Sequence, residues 1–159
     1  AFLQGLSPKE NRDIPPLKYD FVERIQADFP TLKFYLNGGI ETPSQAVQHL
    51  KTFPGVMMGR APYKDPYILA ELEQQIYGTS LPDRIRVIDE YVAYGHEQKD
   101  ASRHLLKHLL GMFAGCAGAR SFRRRLTEAM TGKDVEMDVV YRALEQSGMT
   151  DNPQLAAGS

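Results

Sequence analysis

Two short apolar runs, each ended by glycine and separated by one helix, restrict the fold of this chain more than anything else in it. Leu32–Leu36 (LKFYL) runs into Asn37-Gly38-Gly39, and Gly55-Val56-Met57-Met58 runs into Gly59-Arg60. Between them Thr42-Pro43 opens a helical stretch that reaches about Lys51. Thr42 supplies an N-cap hydroxyl, and Pro43 falls in the first turn, where a missing N–H has no consequence. Strand, helix, strand with short connections is the rhythm of a parallel α/β sheet. Strands this short and this apolar belong where helices cover one face and a barrel interior the other. Two strands cannot close a sheet, so the pattern predicts one piece of a larger α/β unit.

The remaining segments read differently. Residues 1–17 form a loop punctuated by Pro8, Pro15 and Pro16. A helix follows over about 18–28, with Tyr19, Phe21 or Val22, and Ile25 at helical spacing, and Pro30 stops it. Beyond about residue 66 the periodicity predicts helices only, near 66–77, 83–98, 101–114, 119–130 and 135–146. Their breaks are Gly78–Pro82, Gly115–Gly118 and Thr131-Gly132. The expected organisation is therefore an α/β part over 1–78, a small helical bundle over 79–147 and a disordered tail over 148–159.

The glycine turns carry the first chemical signal. Asn37-Gly38-Gly39 and Gly59-Arg60 stand 22 residues apart, one βα unit, each just after a strand. Glycine lets the backbone approach a phosphate so that N–H groups become its donors, and a following helix N-terminus adds a favourable dipole. Arg60 adds a forked, permanently charged donor. Phosphate sites of (β/α)8 barrels are built by such consecutive strand-end loops. Tight turns with no ligand are the alternative, and two in successive positions, one with an arginine, weigh against it.

Charge gives the second signal. The chain has 19 Lys and Arg against 20 Asp and Glu, a formal net charge of -1. From Lys99 to Lys133, however, eight basic residues face only Asp100 and Glu128, a local charge of about +6. Arg120, Arg123 and Arg124 fall at i, i+3 and i+4 on one helix face, opposite an apolar stripe of Phe122 and Leu126, while Arg125 points elsewhere. A basic face fits a polyanion such as RNA. On charge alone a solvated helix face fits equally well.

Four motifs now stand in order: GLSPKENRDIPPL (5–17), LNGGIETPSQAVQHL (36–50), GVMMGRAPYKDP (55–66) and RHLLKHLLGMFAGCAGARSFRRRL (103–126). Together they resemble the tRNA-dihydrouridine synthases of the A-type subfamily, over about residues 3 to 146. The resemblance implies the C-terminal part of a flavin-binding (β/α)8 TIM barrel followed by a small helical bundle domain. It implies an enzyme that reduces the uridine C5–C6 bond at D-loop positions 20 and 20a with FMN, using NADPH as reductant, and a cytoplasmic protein that is monomeric when full length. Carried over by motif, Asn37, Gly38, Gly39, Gly59 and Arg60 would bind the FMN phosphate. Lys9, Asn11 and Arg12 would lie near the RNA at the barrel mouth, and Arg120, Arg123 and Arg124 would hold the tRNA.

The family's proton-donating cysteine belongs to a barrel loop in the N-terminal part. The chain begins at Ala1, so that cysteine is expected upstream and no catalytic residue is assigned within these residues. Cys116, in a Gly/Ala-rich turn between two helices, reads as a small loop residue, and a lone cysteine excludes an internal disulfide. His104 and His108 share a helix face, but HLLKH lacks the glutamate of a zinc-peptidase motif, so no metal is expected. Tyr63 either borders the flavin or packs. No run approaches the roughly 18 apolar residues of a membrane helix. Two further readings remain: an RNA-binding module with no catalytic role, and another phosphate-binding barrel enzyme with a helical tail, against which the ENR…PPL and RHLLKHLLG motifs stand.

Overall fold

A computed structural model describes residues 7, 9–10, 16–98 and 102–150. Helix α1 (Tyr19–Asp28) leads through a turn to strand β1 (Leu36–Asn37), helix α2 (Pro43–Leu50) and strand β2 (Val56–Met57). The two strands pair in parallel, Leu36 opposite Val56 and Asn37 opposite Met57. Helix α2 starts as the sequence requires, with Thr42 and Gln45 forming a reciprocal capping box and Pro43 in the first turn. Leu36, Ile40, Ala46 and Phe53 are buried together, with Tyr19, Val22 and Leu72 packed around them. Helix α1 buries none of its residues completely, and Phe21 and Ile25 face outward.

The strands are shorter than the sequence suggests. Leu32–Leu36 contributes only Leu36, which is 1% exposed, while Leu32 and Tyr35 are 57% and 64% exposed. Leu32 N–H is already used in a turn, donating to Phe29 O at 3.0 Å, and is lost to any ladder. The exposed apolar residues of this part are what a piece of a larger α/β unit would leave uncovered.

Helices α3 (Arg60–Lys64), α4 (Ile68–Tyr77) and α5 (Arg84–Glu97) follow. The expected helix over 66–77 starts later because Pro66 and Tyr67 form a turn in which Asp65 Oδ1 accepts from Tyr67 N at 3.2 Å. Asp83 caps α5 by accepting from Ile85 N at 2.8 Å and Arg86 N at 3.0 Å. The expected helix over 101–114 is also corrected: α6 (Ser102–Leu106) tightens into a 3-10 turn over Lys107–Leu109 and then unwinds through turns to Gly118. Helices α7 (Ala119–Ala129) and α8 (Val139–Gln146) complete the bundle. Its core holds Ile88, Leu106, Phe113, Phe122, Leu126, Val140 and Leu144, with Phe113 and Phe122 edge to face at 4.8 Å. The expected tail from residue 148 begins too early, since Met149 is 1% exposed in that core and its N–H donates to Leu144 O. Residues 151–159 lie outside the described residues.

The unwinding after α6 has a physical reason. Gly111 packs directly on the backbone between α3 and α4, so that a Cβ there would meet Lys64 O far inside van der Waals contact and Lys64 C at 2.6 Å. Both neighbours are backbone and cannot swing aside. Arg84 reinforces the junction: its guanidinium lies 3.5 Å from the Tyr67 ring centroid and donates to Met112 O, while the Tyr67 hydroxyl donates to Pro82 O at 2.6 Å. Burial holds the Asp65 carboxyl above the usual carboxylate range, outweighing the pull of Arg84.

Two outcomes follow at this junction. Gly111→Ala should destabilise the protein by about 3 kcal/mol through forced backbone displacement, read from the urea midpoint; an unchanged midpoint would show that the contact is not tight. The native state holds the Asp65 proton to higher pH than the unfolded chain does. Its contribution is therefore fully present below the unfolded value and is lost as pH rises through the raised native value. Asp65→Asn, which keeps an acceptor for Tyr67 N–H, should gain stability relative to the parent as pH rises through the raised native value. A difference independent of pH would contradict the raised value.

Candidate functional site

Because β1 and β2 are adjacent and parallel, their C-terminal ends lie side by side, and the two glycine loops leave from the same edge. The five residues expected at a phosphate, Asn37, Gly38, Gly39, Gly59 and Arg60, all line one open cavity of about 200 Å³, together with Ile40, Glu41 and Met57. This convergence is a consequence of register: Asn37 opposes Met57, so the residues that follow each of them meet across the strand ends.

The first loop is held from behind. Gly39 has φ of 65°, a left-handed conformation, and a Cβ there would press on Leu17 and approach Tyr19 Oη to 2.9 Å. The Tyr19 hydroxyl donates to Gly38 O at 2.7 Å, and its ring sits edge-on to His49 at 4.7 Å. Leu17 and Tyr19 thus clamp the Asn37-Gly38-Gly39 turn, and the bond engages a carbonyl dipole that would repel an anion. The role of Tyr19 was hidden in the sequence, where its spacing reads only as one more apolar position of α1.

The helix termini divide unequally. The first turn of α2 is closed on itself, since Thr42 Oγ1 accepts from Gln45 N at 3.2 Å and Gln45 Oε1 accepts from Glu41 N and Thr42 N. The cap thus takes up Gln45 N–H, and the Gln45 side chain takes up the N–H groups of Glu41 and Thr42. The N-cap of α3 is Gly59, with no side-chain hydrogen bond to its first turn. Glu41 on the cavity wall opposes an anion and Arg60 favours one; both are exposed, so solvent screens both.

The basic helix α7 is arranged as its spacing predicts. Phe122 and Leu126 are fully buried, and Arg120, Arg123 and Arg124 are exposed. Arg123 is anchored, its Nε donating to Leu110 O at 3.2 Å, whereas Arg120 and Arg124 have no ion pair or hydrogen bond among the described residues. Arg125 turns away towards Glu128, 3.9 Å distant. Lys9 is exposed, and Asn11 and Arg12 lie outside the described residues. Tyr63, on α3, does not line the phosphate cavity; it meets His108 edge-on at 5.8 Å. Cys116 is half-buried, with Sγ 3.9 Å from Ala114 O. No described helix is long and apolar enough to cross a membrane.

Comparison with known proteins places these features in a family. The dihydrouridine synthase (Dus) family matches residues 3–147, and the chain belongs to that family. It is 45% identical over 132 residues to a tRNA-dihydrouridine(20/20a) synthase of Pseudomonas putida, covering 80% of this chain and 39% of that protein. It is 44% identical over 147 residues to the protein of the same name from Xylella fastidiosa (strain 9a5c), with 91% and 43% covered. For the one from Vibrio cholerae the identity is 42% over 149 residues, with 91% and 46% covered. The chain therefore spans less than half the length of these curated relatives.

The Tyr19 clamp can be tested without any ligand. Tyr19→Phe should lower stability by about 1 kcal/mol and speed amide exchange at Gly38 and Gly39. Exchange there at the parent rate would mean that the hydroxyl does not hold the loop.

Proposed function

We propose that this chain supplies the FMN phosphate grip and the RNA-binding helices of a flavin-dependent tRNA-dihydrouridine synthase acting at D-loop positions 20 and 20a. In this reading residues 1–78 are the C-terminal portion of a (β/α)8 barrel and 79–147 a helical tRNA-binding domain. The observation that carries it is the convergence of Asn37, Gly38, Gly39, Gly59 and Arg60 on one cavity at the ends of two parallel strands. Three relatives that share 42–45% of their aligned residues with this chain bear that activity in their names. The exposed Phe21, Ile25, Leu32 and Tyr35 support the barrel, since further strands and helices of such a barrel would cover them.

The donor set fits a phosphate monoester. Glycine loops expose backbone N–H groups, Arg60 contributes a charged fork, and Tyr19 fixes the loop geometry before anything binds. Bound FMN, re-reduced by NADPH, would supply the hydride that reduces the uridine C5–C6 double bond. The residues of this chain act at the other end of the cofactor, by gripping its phosphate and so fixing where the isoalloxazine ring can lie. The exposed arginines of α7 act on the substrate by neutralising tRNA phosphates, a long-range attraction that salt weakens. Cytoplasmic location and a soluble, monomeric enzyme accord with this reading.

The reading is tested by comparing FMN with riboflavin, which lacks the phosphate. In the full-length protein Arg60→Ala should weaken FMN about tenfold or more while leaving riboflavin unchanged, measured by quenching of flavin fluorescence. The same variant should lower dihydrouridine at positions 20 and 20a of cellular tRNA. Equal weakening of both flavins would remove the phosphate grip, and no flavin binding by the parent would favour a non-catalytic RNA-binding module.

A further inference from the structure

A second cleft lies at the other end of α3 from the phosphate cavity. It has a volume of about 710 Å³ and runs between α3, the turns after α6, and α7. Its floor is apolar, formed by Leu110, Gly111, Ala114 and Met130. Its walls carry Lys64, Lys107 and Arg123, and no acidic side chain is among its lining residues. Tyr63 stands at the rim, 64% exposed, supported by its edge contact with His108. An exposed aromatic ring beside an apolar floor in a soluble protein calls for an occupant, and three cations with no counter-charge call for an anionic one.

We propose that this cleft holds one unpaired nucleotide of the RNA, its base laid on the apolar floor beside Tyr63 and its phosphates met by Lys107 and Arg123. The inference rests on the reading of the protein as one that acts on tRNA and assigns a subsite within it. The volume is in the range of small-ligand sites. A planar base uses both the floor and the ring, since every base has a π-face and stacking on aromatics is tolerant of sequence. An acidic peptide would satisfy the cations but would leave the apolar floor and the Tyr63 ring unused. Arg123 is suited to the phosphate because its Nε is fixed on Leu110 O, which orients the guanidinium before RNA arrives. The position gives the subsite its purpose. Arg60 opens α3 on the phosphate cavity, while Tyr63 and Lys64 close it on the cleft, so about 5 to 6 Å of helix separates them. A nucleotide held here is indexed to the cofactor's phosphate by a single rigid turn, which makes Tyr63 a positioning residue.

The test measures binding of the whole chain to three probes by fluorescence anisotropy: a single-stranded oligouridine, an RNA duplex of equal charge, and an oligoglutamate. Tyr63→Ala should weaken the single strand about tenfold and leave the duplex unchanged, while Tyr63→Phe retains parent affinity. Lys107→Ala should weaken both RNAs and reduce the single-strand salt slope by about 0.7. Tyr63 is exposed, so its replacement leaves the fold intact, and the parent-like Tyr63→Phe controls for it. Equal effects of Tyr63→Ala on strand and duplex, or no effect on either, would overturn the assignment while leaving the tRNA reading in place. So would binding of oligoglutamate as tightly as RNA. No RNA binding at all would overturn both, whereas the FMN and riboflavin comparison bears on the phosphate grip alone.

Discussion

The backbone contact between Gly111 and Lys64 is the constraint on which the arrangement of this protein depends. It brings the turn after α6 onto the end of α3 with no side chain between them. Everything carried by α3, from Arg60 at one end to Tyr63 and Lys64 at the other, is thereby fixed against the helical bundle. The contact would be weak alone, because two backbones in van der Waals contact gain little. Its strength lies in what surrounds it: Arg84 stacks on Tyr67 and donates to Met112 O, one residue from Gly111, and Tyr67 reaches across to Pro82 O. Tyr67 also belongs to the bundle core. The bundle and the helix that carries Arg60 are thus coupled through named groups, and a shift at one is resisted at the other.

The two charged regions use opposite strategies. At the strand ends a few donors are held rigidly: Gly39 admits Leu17 and Tyr19 behind the loop, and the Tyr19 hydroxyl pins Gly38. A loop held in this way would lose little entropy on binding a small anion. On α7, Arg120 and Arg124 are exposed and have no partner among the described residues, while Arg123 alone is anchored. A large polyanion does not need directed donors everywhere. In the proposed reading the exposed arginines would gain chiefly by releasing counterions, and the anchored Arg123 would set the register.

The legible part of this structure is the part written in local chemistry. Thr42-Pro43 and Asp83 announce helix starts because a cap needs only its own next three residues. The basic face of α7 and its Phe122–Leu126 stripe follow from helical spacing alone. The paired glycine loops could be read because one βα unit must return its strand beside the last. What escaped was non-local. The unwinding of 107–118 answers to Lys64, more than forty residues away, and no periodicity within that segment reports it. Leu32 and Tyr35 look like strand residues, but pairing needs a neighbour that the local sequence cannot name. Met149 reads as part of a polar tail until the space beside Gly118 is known. Tyr19 is the sharpest case: its apolar spacing was visible, while the hydroxyl that holds Gly38 was not.

These failures share a location. The unwound turn, the short helix α3 and the Tyr19 clamp all lie where one segment is held by residues distant in sequence. Local propensity yields there because the geometry is imposed from outside the segment. A five-residue helix such as α3 is too short to be stable by itself, and it persists because Gly111 packs on its end and Pro66 and Asp65 fix the turn beyond it. The consequence for function is direct. If α3 owed its form to its own sequence, the cavity at Arg60 and the cleft at Tyr63 could be adjusted separately. Because it owes its form to the bundle, the distance between them is set by tertiary packing, and under the proposed function that packing would fix the separation of the cofactor phosphate and the RNA.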